Sequence, residues 1–214
     1  MSDSRSVAQQ MAAEDIAAGS GLGWFDRFYA AADRGEIGVP WADMAPNPML
    51  CSWEALRRLS GRAAVVGCGL GDDAEFLADR GMEVTAFDIS PTAVGMARLR
   101  FDKSSVSYVA ADLLDLPADW NRGFDFVFEA YTIQVLQGEQ RRKAIANVAR
   151  LVAPGGTLLV IARARDESGE PGKMPWPLTR DEILAIPLRA VSVEDLVDDE
   201  EPPVRRWRAE FAAD

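Results

Sequence analysis

At 214 residues, 48% of them hydrophobic and 27% charged, the chain has the length and apolar content of one globular domain that buries most of its apolar surface. Its formal net charge of −11 argues against DNA or RNA as a substrate, and its longest apolar run, GGTLLVIA near residue 160, falls far short of the roughly 20 residues that span a bilayer. With no histidine and only two distant cysteines, Cys51 and Cys68, there is neither a disulfide scaffold nor a zinc cluster; no metal is expected, and proton transfer falls to Asp, Glu, Tyr, Lys or water.

The N-terminus lacks a basic region followed by an apolar one, so the expectation is a soluble, cytoplasmic protein that is a monomer or homodimer. Residues 1–23, rich in Ser, Ala, Gln and Gly, read as a flexible segment, frayed or loosely helical, ahead of a domain over 24–214. GWFDRFYAAADRG then gives a short amphipathic helix. The prolines and Asn47 of IGVPWADMAPNPML forbid regular structure, and a second helix over about 52–59 ends at Gly61.

From there the pattern alternates. Apolar runs near 63–67, 84–87, 106–110, 124–128 and 157–162 read as strands buried on both faces, separated by helices near 72–80, 91–101 and 139–152. Such a series implies a parallel sheet with crossover helices. Ser90 before Pro91 is an N-cap, Pro154-Gly155-Gly156 ends the helix before the fifth strand, and Thr179 with Glu182 makes a capping box. Segments 188–197 and 204–211, around the turn-like DDEEPP, close the chain as an antiparallel hairpin, with VRRWR on one strand near the surface.

Gly67, Gly69 and Gly71 follow the first strand. A nicotinamide fingerprint wants a further glycine one residue on, where this chain has Asp72 with Asp73 beside it. Two acids at a helix N-terminus repel the pyrophosphate that the helix dipole otherwise attracts, and suit instead a cofactor without phosphate that carries positive charge. S-adenosyl-L-methionine, an adenosine joined to an amino acid through a sulfonium, is such a cofactor. Asp88, ending the second strand with Ile89 after it, is placed to accept from both ribose hydroxyls. Asp112, beyond the third strand, can accept from the adenine amino group, with the Leu113 amide facing the ring.

The stretches GCGLG (with Cys68 between its first glycines), FDIS, AADLLDLP, FDFVFEA and LVAPGGTLLV resemble the core of the seven-stranded S-adenosylmethionine-dependent methyltransferases, over residues 60–165. That resemblance implies an α/β, doubly wound, mostly parallel seven-stranded sheet with a C-terminal antiparallel hairpin, in a single domain. It places Glu129 and Ala130 at the methionine end of the cofactor and the substrate mouth, and implies S-adenosyl-L-homocysteine as product. In the N-terminal part, WFDRF, VPW and PNPML resemble the thiopurine, thiol and halide methyltransferase family, in which residues 24–60 would cover the cofactor with Trp24, Phe28 and Trp41. Phe28 stands where that family usually has tryptophan, and the spacer from Phe28 to Trp41 is longer. Aromatic faces attract a sulfonium as they attract other cations.

The implied activity is methyl transfer to a small molecule, a thiol or another soft nucleophile that needs little help from a base. Oxygen and nitrogen acceptors, a catalytically silent cofactor-binding protein and a nicotinamide-dependent oxidoreductase are the rival readings. Glu129 and Tyr131 are the candidate catalytic groups, and Tyr131 and Trp176, with the loop PGKMPWP at 171–177, are expected to line the acceptor pocket.

Overall fold

The computed structural model describes residues 3–19 and 21–214; Met1, Ser2 and Ser20, which belong to the stretch read as flexible, lie outside the described residues. A seven-stranded sheet runs in the order β3-β2-β1-β4-β5-β7-β6. Strands β1 (Arg62–Val66), β2 (Glu83–Asp88), β3 (Ser107–Ala110), β4 (Phe124–Ala130) and β5 (Val152–Arg163) are parallel. β6 (Arg189–Val197) and β7 (Arg205–Ala212) form the expected hairpin, and β7 lies inside the sheet, antiparallel to β5 on one side and to β6 on the other.

The parallel strands lie between two apolar layers, which is why they read as continuous apolar runs. In β1, Ala63 and Val65 join one buried cluster with helices α3 (Pro48–Glu54), α4 (Asp72–Asp79) and α5 (Pro91–Arg100), while Ala64 and Val66 join the other with α6 (Gly138–Leu151) and α7 (Arg180–Leu184). Helix starts follow their sequence signals. The Ser90 hydroxyl accepts from Ala93 N–H at 3.0 Å, and Thr179 and Glu182 form the capping box.

Three local expectations are corrected. The helix expected at 52–59 spans Pro48–Glu54, because Asn47 caps it by accepting from Met49 N–H at 2.9 Å and Pro48 takes the first turn, where a missing N–H costs nothing. Pro154-Gly155-Gly156 does not precede β5 but lies within it, at the irregularity where the β4–β5 register shifts; a Cβ on Gly156 would stand 2.9–3.1 Å from three carbonyl oxygens. Residues 4–18 form helix α1 (Ser4–Ala18), whose Ala8 and Ala12 are buried against Trp24, Phe28 and Met174. Asp15 of α1 accepts two hydrogen bonds from the Arg27 guanidinium, at 2.8 and 3.3 Å, which joins α1 to α2 (Trp24–Asp33).

Helix α2 is tied onward to the sheet. Asp26 Oδ1 accepts from the Ser90 hydroxyl at 2.7 Å and from Thr92 N–H at 3.0 Å, so the helix that carries the N-terminal aromatics is docked on the start of α5. Among the described residues no helix is long and apolar enough to cross a membrane.

In the turn from β1 into α4, Gly71 holds a position that a side chain does not fit. Gly71 sits at φ +95°, and a Cβ there would lie 2.4 Å from the hydroxyl of Tyr108, a buried ring whose O–H donates to Glu75 at 2.6 Å. Gly71→Ala is expected to cost about 2 kcal/mol, lowering the thermal midpoint by roughly 4–8 °C in a calorimetric or CD melt. An unchanged midpoint would show that the turn relaxes freely.

Candidate functional site

A cavity of ≈ 450 Å³ opens at the carboxyl ends of β1 to β4, the place where open α/β sheets bind ligands, and is roofed by α1, α2 and the 40–47 loop. Its floor begins with Gly67, Cys68 and Gly69. Gly67 passes so close to Thr132 that a Cβ would meet its Oγ1 at 2.2 Å, and Gly69 N–H donates to Asp88 Oδ2 at 3.0 Å. The other Asp88 oxygen accepts from Ser90 N–H at 2.9 Å. Asp88 is buried, and that burial pushes its carboxyl above the ordinary range while the backbone hydrogen bonds pull it back. Ile89 follows it in the wall.

Beyond β3, Asp112 and Leu113 also face the cavity. Asp112 Oδ1 accepts from Leu114 N–H at 2.7 Å, an Asx-type turn that fixes the carboxylate, and Asn147 donates to the Leu113 carbonyl at 2.8 Å. Gly71, expected in the site, does not line it; its role is the turn described above.

The acids at the start of α4 divide into two kinds. Asp72 receives both guanidinium nitrogens of Arg100 at 2.9 Å, so its charge is answered locally. Asp73 is not ion-paired among the described residues: Oδ1 accepts Asn47 N–H at 2.7 Å, and burial raises its carboxyl to about 6. The sequence argument against a pyrophosphate therefore rests on Asp73 rather than on Asp72.

The aromatic roof differs from expectation in one member. Trp24 and Trp41 line the cavity, Trp41 with 40% of its surface exposed. Phe28 does not: it is fully buried behind Trp41, ring centroids 4.7 Å apart. Tyr29, which sequence reasoning passed over, takes the lining position, and its hydroxyl accepts from Trp41 Nε1 at 2.8 Å. The signal for it was available, since Tyr29 is a further aromatic on the same amphipathic helix, one that packs against α1 and α5.

The candidate catalytic pair separates. Ala130 and Tyr131 reach the cavity, with Tyr131 in the left-handed region at φ +65° and its hydroxyl 3.5 Å from the donating Asn47 amide. Burial pushes the Tyr131 phenol above its ordinary value, which makes it a poor base. Glu129 points away: it is fully buried, and Oε1 accepts from Thr132 and Ile133 N–H at 2.7 and 2.9 Å, holding the turn that presents Tyr131. Trp176 is likewise outside the cavity, its N–H on the Gln134 carbonyl and its ring packed toward α1 and α2; Lys173, Met174 and Pro175 of the same loop line it instead. Two further lining residues, Arg163 and Arg206, come from β5 and β7.

Residues 64–156 match a family model described as a methyltransferase domain. Over 98 residues the chain is 38% identical to an uncharacterized methyltransferase of Mycobacterium tuberculosis, covering 45% of this chain and 47% of that protein. The chain thus spans about half the length of the curated relatives it matches. In fold it is similar to a structure solved for the conversion of a disulfide bond into a thioacetal group during echinomycin biosynthesis, with TM-score 0.75, 23% identity, and 89% and 93% of the two chains covered. It is also similar to the N-methyltransferase NodS of Bradyrhizobium japonicum in complex with S-adenosyl-L-homocysteine, with TM-score 0.64, 23% identity and 85% and 97% coverage.

Glu129 gives the site's clearest titration. Its Oε2 is buried and has no hydrogen-bond partner among the described residues, and burial raises the carboxyl from 4.5 to about 7. Between those values the native state holds a proton that the unfolded chain has released, so stability falls as pH rises from about 4.5 to 7, by an amount on the order of 3 kcal/mol. Glu129→Gln is expected to flatten that slope in denaturant titrations taken from pH 5 to pH 8. An identical slope in the variant would assign the pH dependence to other groups.

Proposed function

We propose that this chain, whose residues 64–156 carry the methyltransferase-domain match, transfers the methyl group of S-adenosyl-L-methionine to a small molecule, a thiol or another soft nucleophile. The observation that carries this reading is the pairing of Asp88 and Asp73 in one cavity: a buried acid at the end of β2, and an acid without an ion-pair partner at the start of α4, where a dinucleotide would put its pyrophosphate.

The residues present fit such a cofactor. Each Asp88 oxygen takes one backbone N–H and keeps lone pairs for ribose hydroxyls. Asp112 and Leu113 stand ready for the adenine, and ≈ 450 Å³ falls within the roughly 300–1,000 Å³ usual for ligand pockets. Trp41, braced by Phe28 and held through its indole by Tyr29, gives an aromatic face toward a cation, and Asp73 adds a negative charge above pH 6.

When bound, the cofactor supplies a methyl group on a positively charged sulfur, open to in-line displacement. What the chain adds is position and dryness. The α1–α2 roof sets an apolar cluster over the sheet's carboxyl end, and the less water there, the more a reaction in which opposite charges meet and cancel is favoured. Apart from the cavity's aspartates, of which burial raises Asp73 to about 6, a base is not prominent: histidine is missing from the sequence, Glu129 does not reach the cavity and the Tyr131 phenol is shifted upward. A thiolate, already ionised in part near neutral pH, suits such a site better than an alcohol does.

Asp88→Ala is expected to weaken binding of S-adenosyl-L-homocysteine about a hundredfold in calorimetric titration, with the far-UV CD spectrum retained. NAD, titrated against the wild type as a control, should show no heat of binding; tight NAD binding with no response to S-adenosyl-L-homocysteine would overturn the reading. Turnover with a panel of thiols, phenols and amines then tests the acceptor class.

A further inference from the structure

Arg163 and Arg206 stand directly opposite each other on antiparallel β5 and β7, so their side chains leave the same face of the sheet, about 5 Å apart at Cβ. Like charges at that spacing destabilise a sheet, and both are largely withdrawn from water, with side chains 25% and 6% exposed. Arg206 is answered: it pairs with Asp198 at 2.6 Å and with Glu200, and its guanidinium lies 5.0 Å from the Tyr131 ring centroid.

Arg163 is not answered in the same way. Its backbone N–H donates to Gln134, but among the described residues its guanidinium makes no hydrogen bond and only approaches Glu200, at 4.0 Å. Burial and the neighbouring Arg206 both push it below its ordinary pKa, the signature of a cation short of counter-charge. Arg5, reaching down from α1, also comes no nearer than 4.0 Å to Glu200, and Lys173 has no ion-pair partner among the described residues. All four cations line the one cavity. Beside these cations the cavity is lined by one carboxylate, Glu200, which Arg206 engages; its other carboxylates belong to the 40–47 loop, the start of α4, the end of β2 and the turn after β3, so in a chain of net charge −11 this wall beside Tyr131 is locally cationic.

We propose that this wall recognises the methyl acceptor through a carboxylate that the acceptor carries, with Arg163 as its principal partner and Arg5 and Lys173 beside it. The proposal rests on the methyltransferase reading and narrows its substrate class to small acids. A guanidinium fork matches the two oxygens of a planar carboxylate, and Glu200, placed 4.0 Å from both Arg163 and Arg5, shows that such a group already sits among these cations. Recognition of this kind gives a use to two arginines placed opposite each other in a desolvated position, where one apolar partner would cost less.

The test uses the full chain saturated with S-adenosyl-L-homocysteine and, as probes, 3-mercaptopropionate and 4-hydroxybenzoate, each against its primary amide, in calorimetric titrations. For the wild type the acids should bind at least about tenfold more tightly than the amides. In Arg163→Gln that preference should fall to less than about twofold, and Arg163→Lys, which keeps the charge without the fork, should restore part of it. Saturation with S-adenosyl-L-homocysteine, measured first in each variant, confirms that the fold is intact. If acids bind the loaded wild type no better than amides, or if the preference survives in Arg163→Gln, the carboxylate proposal alone fails. If S-adenosyl-L-homocysteine itself does not bind, the methyltransferase reading fails and the proposal goes with it.

Discussion

The carboxylate of Asp88 is the tie on which the site depends. One oxygen holds the glycine turn after β1 through Gly69, and the other holds the start of α5 through Ser90. Ser90 passes the connection to Asp26 and so to α2, the helix that brings Trp24, Phe28 and Tyr29 over the cavity. Floor and roof are thus joined through one buried acid, whose hydrogen bonds are worth more because they lie away from water. The same acid has lone pairs left for a ligand, so the group that assembles the site is also one that would fill it.

Charge is sorted across the cavity rather than balanced at each point. Arg100 takes up Asp72, leaving Asp73 to face inward at the start of α4, while Asp198 and Glu200 take up Arg206, leaving Arg163 on the opposite strand less satisfied. A negative region near the helix start and a positive one near the ends of β5 and β7 suit two ligands of different charge, one beside the other. Leaving either charge without a close partner is costly for folding, and such costs are commonly retained where they serve binding.

The sheet and its glycine turn were legible in the sequence because their determinants are local. Apolar runs, glycines and the acids Asp88 and Asp112 each sit at the end of the strand they follow, and Ser90-Pro91 and Thr179 with Glu182 mark helix starts within four residues. The cationic wall was not legible, because Arg5, Lys173, Arg163 and Arg206 come from separate parts of the chain, α1, the 171–177 loop, β5 and β7, and are brought together only by the fold. Within single segments the errors were of phase. Phe28 and Trp176 are aromatic and near the cavity, yet each turns its ring into the packing, while the neighbouring Tyr29 and Lys173 face the opening. Glu129 was placed on the correct strand end, but the turn at Tyr131 folds back over it and uses its carboxylate as a cap.

The insertion of β7 between β5 and β6 bears on how the chain reaches this state. The apolar centre of β5, Leu158 to Ala162, is completely buried in the finished sheet and has β7 along one edge. During synthesis that edge stays unpaired until residues 205–212 have left the ribosome, and β6, made earlier, cannot pair with it without taking the place reserved for β7. A hydrophobic strand edge left open through that interval is a surface on which chains aggregate. Acids on both faces of β6, Glu194 on one and Asp195 on the other, pair with Arg208 and Arg205 of β7, which favours the strand's own hairpin partner and so discourages the premature pairing.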